Sequence, residues 1–304
     1  MKRELEKSLK RYLKRKIKVT LGLLVTFLIT GQLGYSSGYA GKNYTNVQDT
    51  ITENEYKVKV GSEDDKYYYG IFAYKNTDLK IQSETIEIVN ESPNKSTTDN
   101  KKDLQEVAAI KITKNTDLVL GTEQTKSINL KVDTDKGGGA AVYIYNDHRN
   151  GTDGGSSLEI NGERLEINVH SEGKGENKAT FGIVVGTKEN FDGQNCEVNI
   201  NSENTEINVT SDSGLSYAAN ALVAWGGGTI RLNSGNVKIS ADNVINVKKN
   251  SLVEINANSL DNIIQLDGSI VFECVDPSTD IDSDVVVNLT NSNSYLNGNI
   301  LVTN

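Results

Sequence analysis

The chain is 304 residues long, carries a net charge of −9, and holds one Met, one Trp and two Pro. A balance this acidic excludes a surface built to release counterions from nucleic acid, and excludes adhesion to anionic lipid through net charge. Val, Ile, Thr, Asn, Ser and Gly dominate after residue 40 with no strong helical periodicity, which points to an all-β protein.

In chain order, the first element is a leader. Residues 1–18 hold nine Lys and Arg against Glu4 and Glu6, ending in Lys14-Arg15-Lys16-Ile17-Lys18. An apolar stretch, Val19 to Ile29, follows, and small and polar residues then run through Ser36-Ser37-Gly38-Tyr39-Ala40. Basic, then apolar, then small is the pattern of a secretory signal peptide. The apolar core is shorter than the ~20 residues a spanning helix needs, so export with cleavage is expected and an uncleaved inner-membrane anchor is the alternative. Gly38 and Ala40 supply small residues for the peptidase, which places the cut between Ala40 and Gly41. Residues 1–40 carry +7, so the mature remainder carries −16.

Residues 41–66 are expected to form a cap or irregular lead-in, and 67–304 a set of repeats. The copies begin at Gly70-Ile71-Phe72-Ala73, Ala108-Ala109-Ile110-Lys111, Ala141-Val142-Tyr143, Phe181-Gly182-Ile183 and Leu222-Val223-Ala224-Trp225, with shorter ones at Val244 and Asn262. Each holds three runs with apolar residues at alternate positions, separated by Asn, Ser, Gly, Asp or Thr. Period-two alternation means half-buried strands. Three short strands per copy, with no helix between, predict a parallel β-helix: a right-handed solenoid in which each copy is one coil and stacking buries the inward faces. Polar inserts at Glu91 to Lys102, Asn146 to Ser156 and Thr187 to Asn195 belong to loops. Lys101 to Val107, the best helical candidate, is too short to stand alone.

An antiparallel sandwich is the rival, but the hairpin signals it wants are only Asn161-Gly162 and Asn297-Gly298. Asn161, Asn168, Asn201, Asn208, Asn233 and Asn256 recur after strands, and stacked coils would turn them into amide ladders. Cys196 and Cys274 fall three coils apart, ~14 Å at strand spacing, beyond the ~7 Å between Cα atoms that a disulfide allows. Two free, mostly buried thiols are expected.

Catalytic chemistry is sparse. His148 sits in a polar insert and His170 ends a strand, so neither has a catalytic partner. Asp212-Ser213-Gly214 lacks the glycine before the acid that a serine nucleophile turn carries. Asp280-Ile281-Asp282-Ser283-Asp284 opens like a calcium loop, but Val285 and Asn291 occupy the positions that need Gly and Glu. Glu63-Asp64-Asp65 reads as solvated. Gly137-Gly138-Gly139 and Gly226-Gly227-Gly228 read as turn or bulge glycines rather than phosphate cradles. Arg164 and Arg231 are the few basic residues on strands that a polysaccharide-cleaving site would use. No catalytic, metal or cofactor site is assigned.

Leu9 to Gly31 resembles the extended leader of bacterial autotransporters, the type V secretion family. The Asn-rich repeats over 50–304 are similar in texture to its β-helical passenger region. The resemblance implies passage through the Sec translocon, crossing of an outer membrane, and display at the surface or release. It also implies an adhesin-like interaction with host or bacterial surface glycans or proteins. The family ends in a membrane β-barrel, whereas Val285 to Asn304 still reads as passenger coils. The expectation is therefore an N-terminal portion of a longer autotransporter, whose membrane contact would come only from a C-terminal barrel. A two-partner-secreted exoprotein and a secreted polysaccharide-active enzyme are the alternatives.

Overall fold

The computed structural model describes residues 40–61, 68–92, 107–134, 138–146, 154–172, 179–186, 193, 195–212, 218–274 and 283–303. The described chain is all-β, without a helix, and every strand pairing in it is parallel.

The pairings fall into three columns. The first runs from Ala40–Thr45 through Tyr69–Tyr74, Val107–Thr113, Gly139–Tyr145, Thr180–Val185 and Ala219–Trp225. It continues through 243–248, 269–273 and Ile300–Thr303. The second runs from Gln48–Ile51 to Asp284–Val287, and the third from Glu55–Val60 to Tyr295–Asn297. The chain visits the columns in order and then starts the next tier, so each strand pairs with its counterpart one tier on.

Alternation fixes which side chains point inward. Ile71, Ile110, Val142, Ile183, Leu222, Ile245, Ile270 and Ile300 occupy one register line of the first column. Leu79, Leu118, Leu158, Val198, Ile230 and Val253 form a matching line in the second. Ile88, Leu130, Ile167, Ile207, Ile239 and Leu266 form one in the third. Residues of all three columns join one continuous core. A single tier could not bury its own inward face, so cohesion comes from stacking.

The first column also carries an inward line of small residues, Gly41, Gly70, Ala109, Ala141, Gly182 and Ala221, which the strand register skips. Space is the reason: a Cβ on Gly182 would lie 2.5 Å from the Ala221 carbonyl oxygen, and one on Gly70 2.7 Å from that of Ala109. The inward Asn90, opposite Val60 and Val132, donates its amide to the carbonyls of Tyr68 at 3.0 Å and Ala108 at 2.9 Å. A buried polar group is tolerable on those terms.

Turns between the first and second columns share a local code. Lys75-Asn76, Lys114-Asn115 and Lys249-Asn250 all adopt positive φ, between 51° and 61°. The next residue returns its hydroxyl to the carbonyl three positions back, as Thr77 to Tyr74 (2.8 Å), Thr116 to Thr113 (2.9 Å) and Ser251 to Lys248 (2.7 Å). Asn accepts this left-handed backbone readily. Lysine does so less readily, and the inter-tier bond from Lys75 N to Thr113 O holds it there.

Several expectations change. Residues 40–60, in the span expected as a cap or irregular lead-in, form three strands, Ala40–Thr45, Gln48–Ile51 and Glu55–Val60, each paired in register with the next tier. Asn161-Gly162 is no hairpin: Ser157–Ser171 passes straight through it from the second column to the third. The copy placed at Asn262 is out of phase, because Ile264 to Asp267 closes the tier begun near Val244 and the next tier starts at Ser269. Cys196 and Cys274 are both free, but Cys274 is half-buried rather than buried; it directly follows the first-column strand of its tier, which ends at Glu273. The amide ladder links Asn161, Asn201, Asn233, Asn256 and also Asn288. Asn168 and Asn208, register partners in the third column, belong to a different line.

Candidate functional site

The outer surface of the first column differs from the other two. Its outward positions are Tyr69, Phe72 and Tyr74 on one tier, Lys111 and Thr113 on the next, and Tyr143 and Tyr145 on the third. Phe181 and Trp225 continue the strip, meeting edge to face at 5.7 Å between ring centroids. Outward residues here form a second apolar cluster, separate from the interior core and itself buried, around Tyr143, Val184, Val223 and Trp225.

Lys111 sits within this strip, only 8% exposed. Its Nζ lies 4.7 Å from the ring centre of Tyr69, 5.1 Å from Tyr145 and 5.5 Å from Tyr143, and donates to the Tyr69 hydroxyl at 2.9 Å. The ring faces carry the negative side of the aromatic quadrupole, so three of them offset the loss of hydration at the ammonium. Lys114 lies 5.3 Å from the ring of Tyr74. Further along, the Trp225 indole N–H donates to Asn246 (3.0 Å), whose amide donates to Glu273 (2.8 Å). Asn243 donates to Asn220 at 3.0 Å.

Charge is segregated in the same way. Among the described residues, the strands of the first column and the turns that follow them carry Lys42, Lys75, Lys111, Lys114, Lys248 and Lys249, with Glu273 as the acid. The second column carries acids on most tiers, including Asp78, Asp117, Glu159, Glu197 and Glu254. Arg231 lies between two of them, 3.3 Å from Glu197 and 3.4 Å from Glu254. In the third, Glu91 takes both Lys59 (2.9 Å) and Lys131 (3.0 Å), whose ammonium groups hold its carboxyl below the usual carboxylate range.

In the middle tiers Ser157–Ser171 and Glu197–Ser211 run from the second column to the third without a break.

The other sequence-level candidates do not converge. His170 accepts or donates at Thr210 (2.9 Å) and stands 3.8 Å from the Asp212 carboxylate, exposed on the third column. Arg164 pairs with Glu166 at 3.0 Å and approaches Glu206 at 3.9 Å. Glu166 and Glu206 are register partners on adjacent tiers, as are Asp78 and Asp117. Acidic pairs therefore arise between copies, where inspection within each copy could not find them. Gly226 and Gly227 have positive φ and form a turn with Gly228, and Gly138 precedes a strand with positive φ. Asp284 opens a second-column strand, and no three His, Cys, Asp or Glu side chains converge as metal ligands among the described residues. His148, Ser213, Gly214, Asp280, Asp282 and Glu63-Asp64-Asp65 lie outside the described residues, as does the leader up to residue 39. Ala40 and Gly41, the expected cleavage pair, lie in the first strand, where Ala40 pairs with Tyr69.

No family model matches the chain, and neither a curated protein nor a solved structure does.

Proposed function

We propose that the tiers are successive coils of a right-handed parallel β-helix, and that the chain is an exported, non-catalytic interaction protein. It would be displayed at a bacterial surface or released from it, in the manner of an autotransporter passenger. Support for the fold comes from strictly tier-to-tier parallel pairing with continuous inward apolar lines. Support for export comes from the basic-apolar-small order of residues 1–40. The observation that carries the interaction role is the packed aromatic and lysine-bearing cluster on the outer side of the first column, beside an acidic second column.

The test is expression of the full chain in a bacterial host with an outer membrane, followed by fractionation and N-terminal sequencing of the product. A product that begins at Gly41 and is found outside the inner membrane is expected. Full-length chain retained in the cytosol would overturn the export reading. Release of oligosaccharides from a polysaccharide panel by the purified protein would overturn the non-catalytic reading.

A further inference from the structure

Two Asn-Gly bonds lie among the described residues, Asn161-Gly162 and Asn297-Gly298, and the fold holds them differently. Asparagine before glycine is the dipeptide most open to cyclisation, because no side chain shields the glycine nitrogen or restricts its backbone. We propose that Asn297 is a site of spontaneous deamidation, that its tier protects Asn161 from the same reaction, and that conversion of Asn297 loosens the strand after it. In the reaction the Gly298 backbone nitrogen attacks Cγ of Asn297, gives up its proton, and the side-chain nitrogen leaves as ammonia. Water then opens the five-membered succinimide at either carbonyl. One opening leaves Asp; the other leaves isoaspartate, with the backbone rerouted through the former side chain. The attack requires departure from extended strand geometry, so its rate follows the free energy of local opening.

Asn161 is enclosed. It lies inside Ser157–Ser171, paired with Asn201 on the next tier. Its side-chain nitrogen donates to Glu159 at 2.9 Å and its oxygen accepts from Asn201 at 3.0 Å. On the preceding side Glu163 N donates to the Thr125 carbonyl at 2.8 Å, and a Cβ on Gly162 would stand 2.8 Å from that same oxygen. Turning Gly162 toward the Asn161 side chain breaks contacts with two tiers.

Asn297 has fewer holds. It ends the short strand Tyr295–Asn297, and both it and Gly298 are exposed. Among the described residues that strand pairs with 265–267 alone. The Asn297 amide donates to Asp267 at 3.1 Å, and Asp267 also accepts the Tyr295 hydroxyl at 3.1 Å. Conversion replaces the amide donor with a second carboxylate facing Asp267, so an attraction becomes a repulsion. The next strand, Ile300–Thr303, bears the consequence, and its Thr303 carbonyl accepts Cys274 N at 2.8 Å. The half-buried Cys274 thiol therefore reports on the loosening.

The experiment incubates the full chain at mildly alkaline pH and follows amide-to-acid conversion by peptide mapping with mass spectrometry, isoaspartate being identified by electron-transfer fragmentation. In the folded chain Asn297 should convert about tenfold or more faster than Asn161, which is ~1.4 kcal/mol of difference in local opening. In guanidinium the two should convert at comparable rates. Asn297→Asp, the product of one branch, should raise the reactivity of Cys274 toward a water-soluble thiol reagent severalfold, while Cys196 stays as in wild type. An unchanged circular dichroism spectrum shows that the rest of the stack is intact in that variant. Four results would overturn the proposal: no conversion of Asn297 in the folded chain, equal rates at the two sites when folded, an Asn161 that stays slow in guanidinium, or wild-type Cys274 reactivity in Asn297→Asp.

Discussion

Ile183→Ala and Ile300→Ala remove the same atoms from the same inward line and should differ severalfold in cost. Ile183 is fully buried, with Val142 on one side and Leu222 on the other. Losing three buried carbons forfeits about 2.4 kcal/mol at ~0.8 kcal/mol each, and the enclosed void brings the total into the range of about 2–5 kcal/mol. Ile300 is 66% exposed, with Ile270 as its register partner. A third of the burial gives about 0.8 kcal/mol, with no closed cavity to add. Urea unfolding of both variants, followed by far-ultraviolet circular dichroism and by Trp225 fluorescence, measures the difference as a shift in midpoint at constant slope. Equal losses would refute the reasoning, since they would mean that Ile300 is enclosed as fully as Ile183.

Gly182→Ala should destabilise by about 1–3 kcal/mol, because the new methyl would lie 2.5 Å from a backbone oxygen that cannot swing away; an unchanged melting temperature would contradict the close approach. Glu91→Gln tests the paired cations around that carboxylate. A carboxyl held below its ordinary pKa stabilises the fold above the unfolded-state value and loses that contribution as pH falls through the lower, folded-state value. The variant should therefore be weaker than wild type at neutral pH, within about 1 kcal/mol given the solvent exposure, and the two stability curves should converge below pH ~4. Divergence that persists in acid would assign the effect to something other than charge. With a water-soluble thiol reagent, half-buried Cys274 should react ahead of buried Cys196, and both should react in denaturant. A Cys196–Cys274 bridge in non-reducing mass spectrometry would break the tier assignment.

The columns were legible in the sequence because inward Leu, Ile and Val recur at period two and the copies align with one another. The first tier was hidden because Asp49 stands on the inward line that Leu79 and Leu118 continue, so the apolar signal fails there. The phase slip at Asn262 has a similar cause. Ile264–Glu273 runs through a corner marked only by Gly268, at φ 139°, and a strand that turns without a polar break reads as a single run. The outer strip was invisible for a different reason. Tyr74 and Tyr145 are far apart in sequence, and nothing local says that they share a line; parallel register with Thr113 between them does. The same holds for Glu166 and Glu206. Conversely, the recurring Lys-Asn-Thr and Lys-Asn-Ser tripeptides were visible in the chain, and their common left-handed backbone explains the recurrence.

Because each strand bonds only to its counterpart one tier away, the architecture sets no length of its own. Duplicating the segment between two equivalent Lys-Asn turns would add one rung of ~4.8 Å and leave every other rung's neighbours unchanged. Deleting such a segment would shorten the stack by the same step. Extent is thus a heritable dimension that can drift by whole units, at little risk to folding, while the chemistry on each flank is edited one rung at a time.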